Sequence, residues 1–108
     1  MDALLVLTNL PDDASARALA THLVEARLAA CVNILAPCHS VYRWEGKTEA
    51  TSEVPLLIKT TDARYAELQA AIQKQHPYEL PEIIAVPIQH GLPAYLDWVA
   101  AETSPPSP

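Results

Sequence analysis

Phenylalanine is absent from this chain of 108 residues, and glycine occurs only at Gly46 and Gly91. The shortage of glycine excludes most. Loops that cradle phosphates need clustered glycines, as does the elbow that presents a nucleophilic serine above a sheet. Neither can be assembled here, and no Ser/His/Asp arrangement supplies another activated nucleophile. The chain is expected not to be an enzyme. Basic residues are also scarce: 7 Lys and Arg against 13 Asp and Glu leave a net charge of −6. That sign disfavours a phosphate backbone, so nucleic acid is not an expected partner. No stretch approaches the ~18 apolar residues of a membrane span. The opening MDALLVLTNLP carries an acid and no basic n-region, so it does not read as a signal peptide. A cytoplasmic protein with no membrane partner is expected.

Cysteine is limited to Cys31 and Cys38. On one extended strand they would stand roughly 23 Å apart, too far for a disulfide or for sharing a metal. They read as small hydrophobes in a reducing compartment. Spacing of the CxxC or HxxxH kind is missing, and His22, His39, His76 and His90 are scattered.

Proline, by contrast, is plentiful, and its placement marks the most informative stretch, HPYELPEI over residues 76–83. An imidazole, a phenol and two carboxylates are packed around two prolines. Each proline fixes its own φ and pushes the preceding residue out of the helical region. A helix must therefore end at Gln75-His76, and Leu80 must be extended before a strand begins at Glu82. So stiff a connector has little conformational freedom to lose on binding, which makes it the first candidate for a site.

The rest alternates strand and helix signals without repeats. The apolar run Ala3–Leu7 reads as a central strand buried on both faces. Pro11-Asp12-Asp13 is a turn and N-cap, followed by helical periodicity over Ala14–Leu28 on Ala16, Leu19, Ala20 and Leu23. Arg27 near its end suits the helix dipole. A short strand over Cys31–Leu35 breaks at Ala36-Pro37. Ser40–Trp44 then runs to a turn at Glu45-Gly46-Lys47, where Gly46 supplies a positive φ. The return strand spans Thr48–Thr60 with Pro55 inside it, a residue expected only at an edge or bulge. Thr61-Asp62 caps a second helix with Tyr65, Ala66, Leu68 and Ile72 on its inner face. Ile83–Ile88 reads as a fourth buried strand. A short last helix, Ala94–Glu102, is expected to bury Tyr95, Leu96, Val99 and Trp98. Residues 1–103 make a single domain, and 104–108 a flexible Pro/Ser-rich tail.

This order is β-α-β-β-α-β plus a C-terminal helix, an α+β, ferredoxin-like sandwich with an extended β-hairpin arm. Two helices cover one sheet face and leave the other apolar and open, together with a long hairpin. Both features call for a partner, and self-association is the economical one. Aliphatic central strands and the acidic charge set aside RNA-recognition modules of this fold. Thr8-Asn9-Leu10-Pro11-Asp12 lacks the glycines and arginine of an acylphosphatase loop.

The candidate functional residues each have an ordinary reading. His76 is either a metal ligand or a helix-terminal imidazole capping carbonyls. Glu79 and Glu82 are either a working carboxylate pair or a solvated rim. Trp44 is an interface anchor or a lid. Lys59, on a core strand, needs a carboxylate such as Glu82 or a ligand anion. Asn33 needs its amide satisfied.

RLAACVNI (27–34), YRWEGK (42–47), LIKT (57–60), HPYELPEI and YLDW (95–98), in that order, closely resemble the CutA family of divalent-cation-tolerance proteins. The resemblance spans residues 3–102. It implies a homotrimer of PII-like architecture whose hairpins pair between subunits, and a cleft between subunits lined or supported by Asn33, Tyr42, Trp44, Glu45, Lys59, Tyr78, Glu79, Glu82 and Trp98. It also implies a cellular response to metal ions with a divalent metal, copper among them, bound near His76. Some relatives offer a cysteine at the end of the first strand as a copper ligand. Thr8 stands there in this chain, followed by Asn9, and neither is a soft ligand. A PII-like sensor that takes a small anionic metabolite around Lys59, Trp44 and Tyr78 is the alternative.

Overall fold

The apolar run of the first strand is sealed on the side of Val6, Thr8 and Leu10 and only half covered on the other, rather than buried on both. The computed structural model, which describes residues 2–105, places this strand, β1 (Ala3–Leu10), beside β4 (Lys47–Thr61). Val6 and Leu10 join Leu56 and Ile58 on the sealed side, all at most 1% exposed, against Leu19, Leu23, Leu68 and Ile72 of the helices. These helices are α1 (Asp13–Glu25) and α2 (Tyr65–Gln75), the second entered through one 3-10 turn at Asp62–Arg64. Asp12 caps α1 by accepting the Ser15 amide at 2.7 Å, which holds its carboxyl below the ordinary range.

The order is β1-α1-β2-β3-β4-α2-β5-α3, with β2 (Cys31–Ile34), β3 (Cys38–Trp44), β5 (Ile84–Pro87) and α3 (Pro93–Glu102). The antiparallel sheet runs β2-β4-β1-β5, with β3 extending the pairing on β4 beyond β2. This is the expected α+β, ferredoxin-like plan with its hairpin arm and C-terminal helix. The arm of β3 and the first half of β4 draws the subunit out to 46 Å along its longest axis. Its tip is a two-residue turn in which Glu45 (φ 50°) and Gly46 (φ 79°) both adopt positive φ, the requirement of a type I′ hairpin.

Several local expectations change. Pro55 is neither at an edge nor in a bulge: it pairs with Asn9 inside β4, and its carbonyl accepts the Leu35 amide. In an extended strand a residue's N–H and C=O point to the same side, so the missing N–H faces the break between β2 and β3. The two cysteines lie on different strands, opposite Lys59 and Glu53 of β4. They are free thiols. β5 is an edge strand rather than a buried one, with Ile84 52% and Val86 46% exposed. It starts at Ile84 because residues 76–83 are irregular.

α1 stops at Glu25, and Arg27 turns back at φ 60°. Its guanidinium donates to the Ala101 and Ser104 carbonyls, so it caps α3 rather than its own helix. In α3 only Val99 is fully buried; Tyr95 and Trp98 are exposed and lean on each other at 5.5 Å. Ala66 is exposed too. Ser104, the first residue of the expected flexible tail, is held by Arg27 and by the Ala101 carbonyl; residues 106–108 lie outside those described.

Candidate functional site

The HPYELPE segment folds back over the base of the arm. Pro77 forces His76 into extended backbone (φ −70°, ψ 133°) at the end of α2. That turn drives the imidazole inward until it is 7% exposed. Its Nε2 lies 2.6 Å from the Asn9 carbonyl, and its Nδ1 accepts the Tyr78 amide at 3.1 Å. An amide can only donate, so the network assigns Nδ1 as the unprotonated nitrogen and Nε2 as the donor. His76 thus caps a carbonyl of β1, not one of its own helix. It pins the connector to the end of that strand.

Between connector and arm lies a groove of about 910 Å³. Ser40, Tyr42 and Trp44, alternate residues of β3, form one wall. Tyr78, Leu80 and Pro81 form the other, with Glu79 and Glu82 at the rim. Asn9 lies between them and donates weakly to Glu82, at 3.4 Å. Glu53 of β4 also faces the groove and is only 8% exposed. Burial, together with a hydrogen bond and charge from Glu53, pushes the Tyr78 phenol up to about 12.

This shift has a pH consequence. The folded protein holds the Tyr78 proton more tightly than the unfolded chain, whose phenol releases it near 10.0. The stability this gives is complete below about pH 10 and is lost as pH rises toward 12. Urea melts between about pH 9 and pH 12 are expected to show that decline, flattened in Tyr78→Phe. An equal slope in the variant would refute the assignment.

Of the nine cleft residues expected from the sequence, Tyr42, Trp44, Tyr78, Glu79 and Glu82 come together here. Glu45 is spent on the arm's turn. Lys59 and Asn33 sit elsewhere, on the open sheet face, where the Lys59 ammonium donates to the Asn33 amide oxygen. The carboxylate partner expected for Lys59 is therefore replaced by a cross-strand amide; Glu82 is occupied near Asn9, and Lys59 is half-buried rather than in the core. Lys59 stands six residues along β4 from Glu53, about 20 Å, so the two do not share one site within a subunit. Trp98 is on α3. Glu53 itself escaped the sequence reading. Its signal is faint: an acid directly before the apolar run Val54–Ile58.

Thr8 is fully buried on the helix side, with its hydroxyl unpartnered among the described residues. The strand ends at Leu10, three residues later than expected, and its alternation turns Asn9, not Thr8, toward the groove. Among the described residues no three His, Cys, Asp or Glu side chains converge as a metal centre. No helix among them is long and apolar enough to cross a membrane.

Fold and groove define a class: ferredoxin-like subunits with an extruded arm and an acidic, aromatic groove at its base. The family model described as CutA1 divalent ion tolerance protein matches residues 4–102. The chain is 45% identical over 100 residues to the divalent-cation tolerance protein CutA of Pectobacterium atrosepticum, covering 93% of this chain and 91% of that one. The solved divalent cation tolerance protein of Thermus thermophilus superposes with a TM-score of 0.93 at 43% identity, covering 94% of this chain and 99% of that one. CutA of Xylella fastidiosa gives 0.93 and 43%, covering 96% and 100%. A relative from Archaeoglobus fulgidus described as periplasmic gives 0.91 and 36%, covering 94% and 99%. The chain belongs to the CutA family of divalent-cation-tolerance proteins, which is named for tolerance of ions and not for a reaction.

Proposed function

We propose that this protein acts as a homotrimer in tolerance of divalent cations, without catalysis, and engages a divalent ion, copper(II) among them, at the acidic groove beside His76. The observation that carries this reading is the charge of the groove: Glu53, Glu79 and Glu82 against Arg43 alone. Clefts lined by one sign of charge concentrate ions of the other. Among the described residues the donor set does not fit a closed metal centre, so the ion is exchangeable cargo rather than a resident cofactor. Ligation by His76 through Nδ1 requires the Tyr78 amide to leave it. Two free thiols favour a reducing, cytoplasmic setting.

A second reading, a PII-like trimer that binds a small anionic metabolite, draws on Lys59, whose partner is the neutral Asn33. The groove's acids repel such a ligand, which places this reading second.

Copper(II) titration followed by electron paramagnetic resonance tests the first. Nitrogen coupling is expected in the wild type and not in His76→Ala. Binding about tenfold weaker is expected in Glu79→Gln/Glu82→Gln. Unchanged affinity in the double variant would remove the groove from the role.

A further inference from the structure

Both ring nitrogens of His76 are already in use. The Nδ1 lone pair receives the Tyr78 amide at 3.1 Å, and the Nε2 proton goes to the Asn9 carbonyl at 2.6 Å. An imidazole binds a metal ion only through an unprotonated nitrogen, so ligation must break one of these bonds. Ligation at Nδ1 expels the Tyr78 amide and keeps the Asn9 bond. Ligation at Nε2 moves the proton to Nδ1, where it faces the Tyr78 N–H donor to donor, and forfeits both. Tyr78 is released either way, and the Nδ1 route costs less. Access makes the same demand, because the imidazole is 7% exposed with the Tyr78 ring against it at 4.7 Å.

The connector is built to yield at this point. Across residues 77–81 the Tyr78 amide is the one backbone group with a hydrogen bond among the described residues. The other ties are the Tyr78 ring on His76 and the Tyr78 phenol on Glu53, so all of them pass through one residue. Glu79 and Leu80 stand out in solvent. Segments with so few partners open at low cost. Pro77 and Pro81 stiffen both ends, so what lies between them moves as one piece.

We propose that residues 77–81 are a strap latched shut by His76, and that a divalent ion taken at Nδ1 unlatches it. This rests on the ion reading above and adds its regulation: the closed strap and the loaded imidazole exclude each other. By linkage, closure weakens ion binding by the same factor as the ion weakens closure. Every latch contact lies within one chain, so each copy in an assembly carries its own.

Amide hydrogen exchange of the full chain, read by mass spectrometry with and without saturating copper(II), tests it. A peptide over residues 77–81 carries only the amides of Tyr78, Glu79 and Leu80, since prolines have none. Of these only the Tyr78 amide is bonded, so one slow site is expected in the metal-free protein. Copper is expected to speed that site about tenfold or more, while the β1–β4 ladder keeps its rates. Copper that binds through His76 while the Tyr78 site stays slow overturns the strap and leaves the ion reading standing. Copper that fails to bind, or binds equally in folded His76→Ala, overturns the ion reading at His76 and the strap with it. Tyr78→Pro deletes the competing N–H, whereas Tyr78→Ala keeps it. The proline variant is expected to bind copper about two- to tenfold more tightly than the alanine variant. Equal affinity in the two variants, both folded by circular dichroism, overturns the competition; if Tyr78→Pro does not fold, the exchange of the wild type decides.

Discussion

Ile84→Arg is expected to turn the protein from an assembly of three chains into single subunits of 11.8 kDa in light scattering. In one subunit Ile84 is 52% exposed at the sheet edge, where a polar replacement costs within about 0.5 kcal/mol. The fold of an isolated chain should therefore hardly notice the change. An assembly would. Ile84 stands opposite Leu7, which stands opposite Leu57, and the next row carries Val86 and Leu5 on the same open face. Closing these rows against other copies is worth about 1.5–3 kcal/mol for each fully buried aliphatic side chain. A guanidinium placed there must be desolvated without a partner, three times over in a trimer. Loss of assembly with an intact circular dichroism spectrum is the outcome that supports the homotrimer. A wild-type protein already at 11.8 kDa, or an Ile84→Arg protein of unchanged mass, would refute it.

The fold was largely readable from the chain because local signals agreed with one another. Gly46 marked the turn, Asp12 the cap, Pro77 and Pro81 the stiff connector, and the apolar periods fixed the order of strands and helices. What misled was determined by distant neighbours. Pro55 reads as an edge residue until β2 and β3 are seen to break opposite its nitrogen. Ile84 and Val86 read as core residues from their apolar run, but nothing in the chain's own fold covers the edge strand that carries them. Arg27 looks like the end of one helix and serves another, 74 residues later.

The groove was half legible for the same reason. Tyr42, Trp44, Tyr78, Glu79 and Glu82 come from two rigid segments that the sequence marks plainly. Glu53 and Asn9 enter only because His76 ties the connector to β1 across 67 residues. Local pattern carries no trace of that contact. Lys59 misled in the opposite direction: flanking apolar residues suggested burial, whereas its strand presents it to the open face beside Asn33.

That single imidazole makes His76→Ala the other substitution of large expected effect. The variant empties a site that is 7% exposed, leaves the Asn9 carbonyl without its donor, and frees the Tyr78 amide. Each net hydrogen bond is worth about 0.5–1.5 kcal/mol, and a buried group left unsatisfied costs about 1–3 kcal/mol. A loss of about 2–4 kcal/mol follows, read from urea melts of variant and wild type at one fixed protein concentration. The loop's own state provides the second measurement. Once the connector lifts off β1, Tyr78 regains water and moves away from Glu53, reversing the largest causes that hold its phenol at about 12. Spectrophotometric titration of His76→Ala should therefore show that phenol moving back toward 10.0. A role confined to holding an ion predicts neither change in metal-free protein. Stability within about 0.5 kcal/mol of wild type and an unmoved Tyr78 titration would show that His76 does not build the groove.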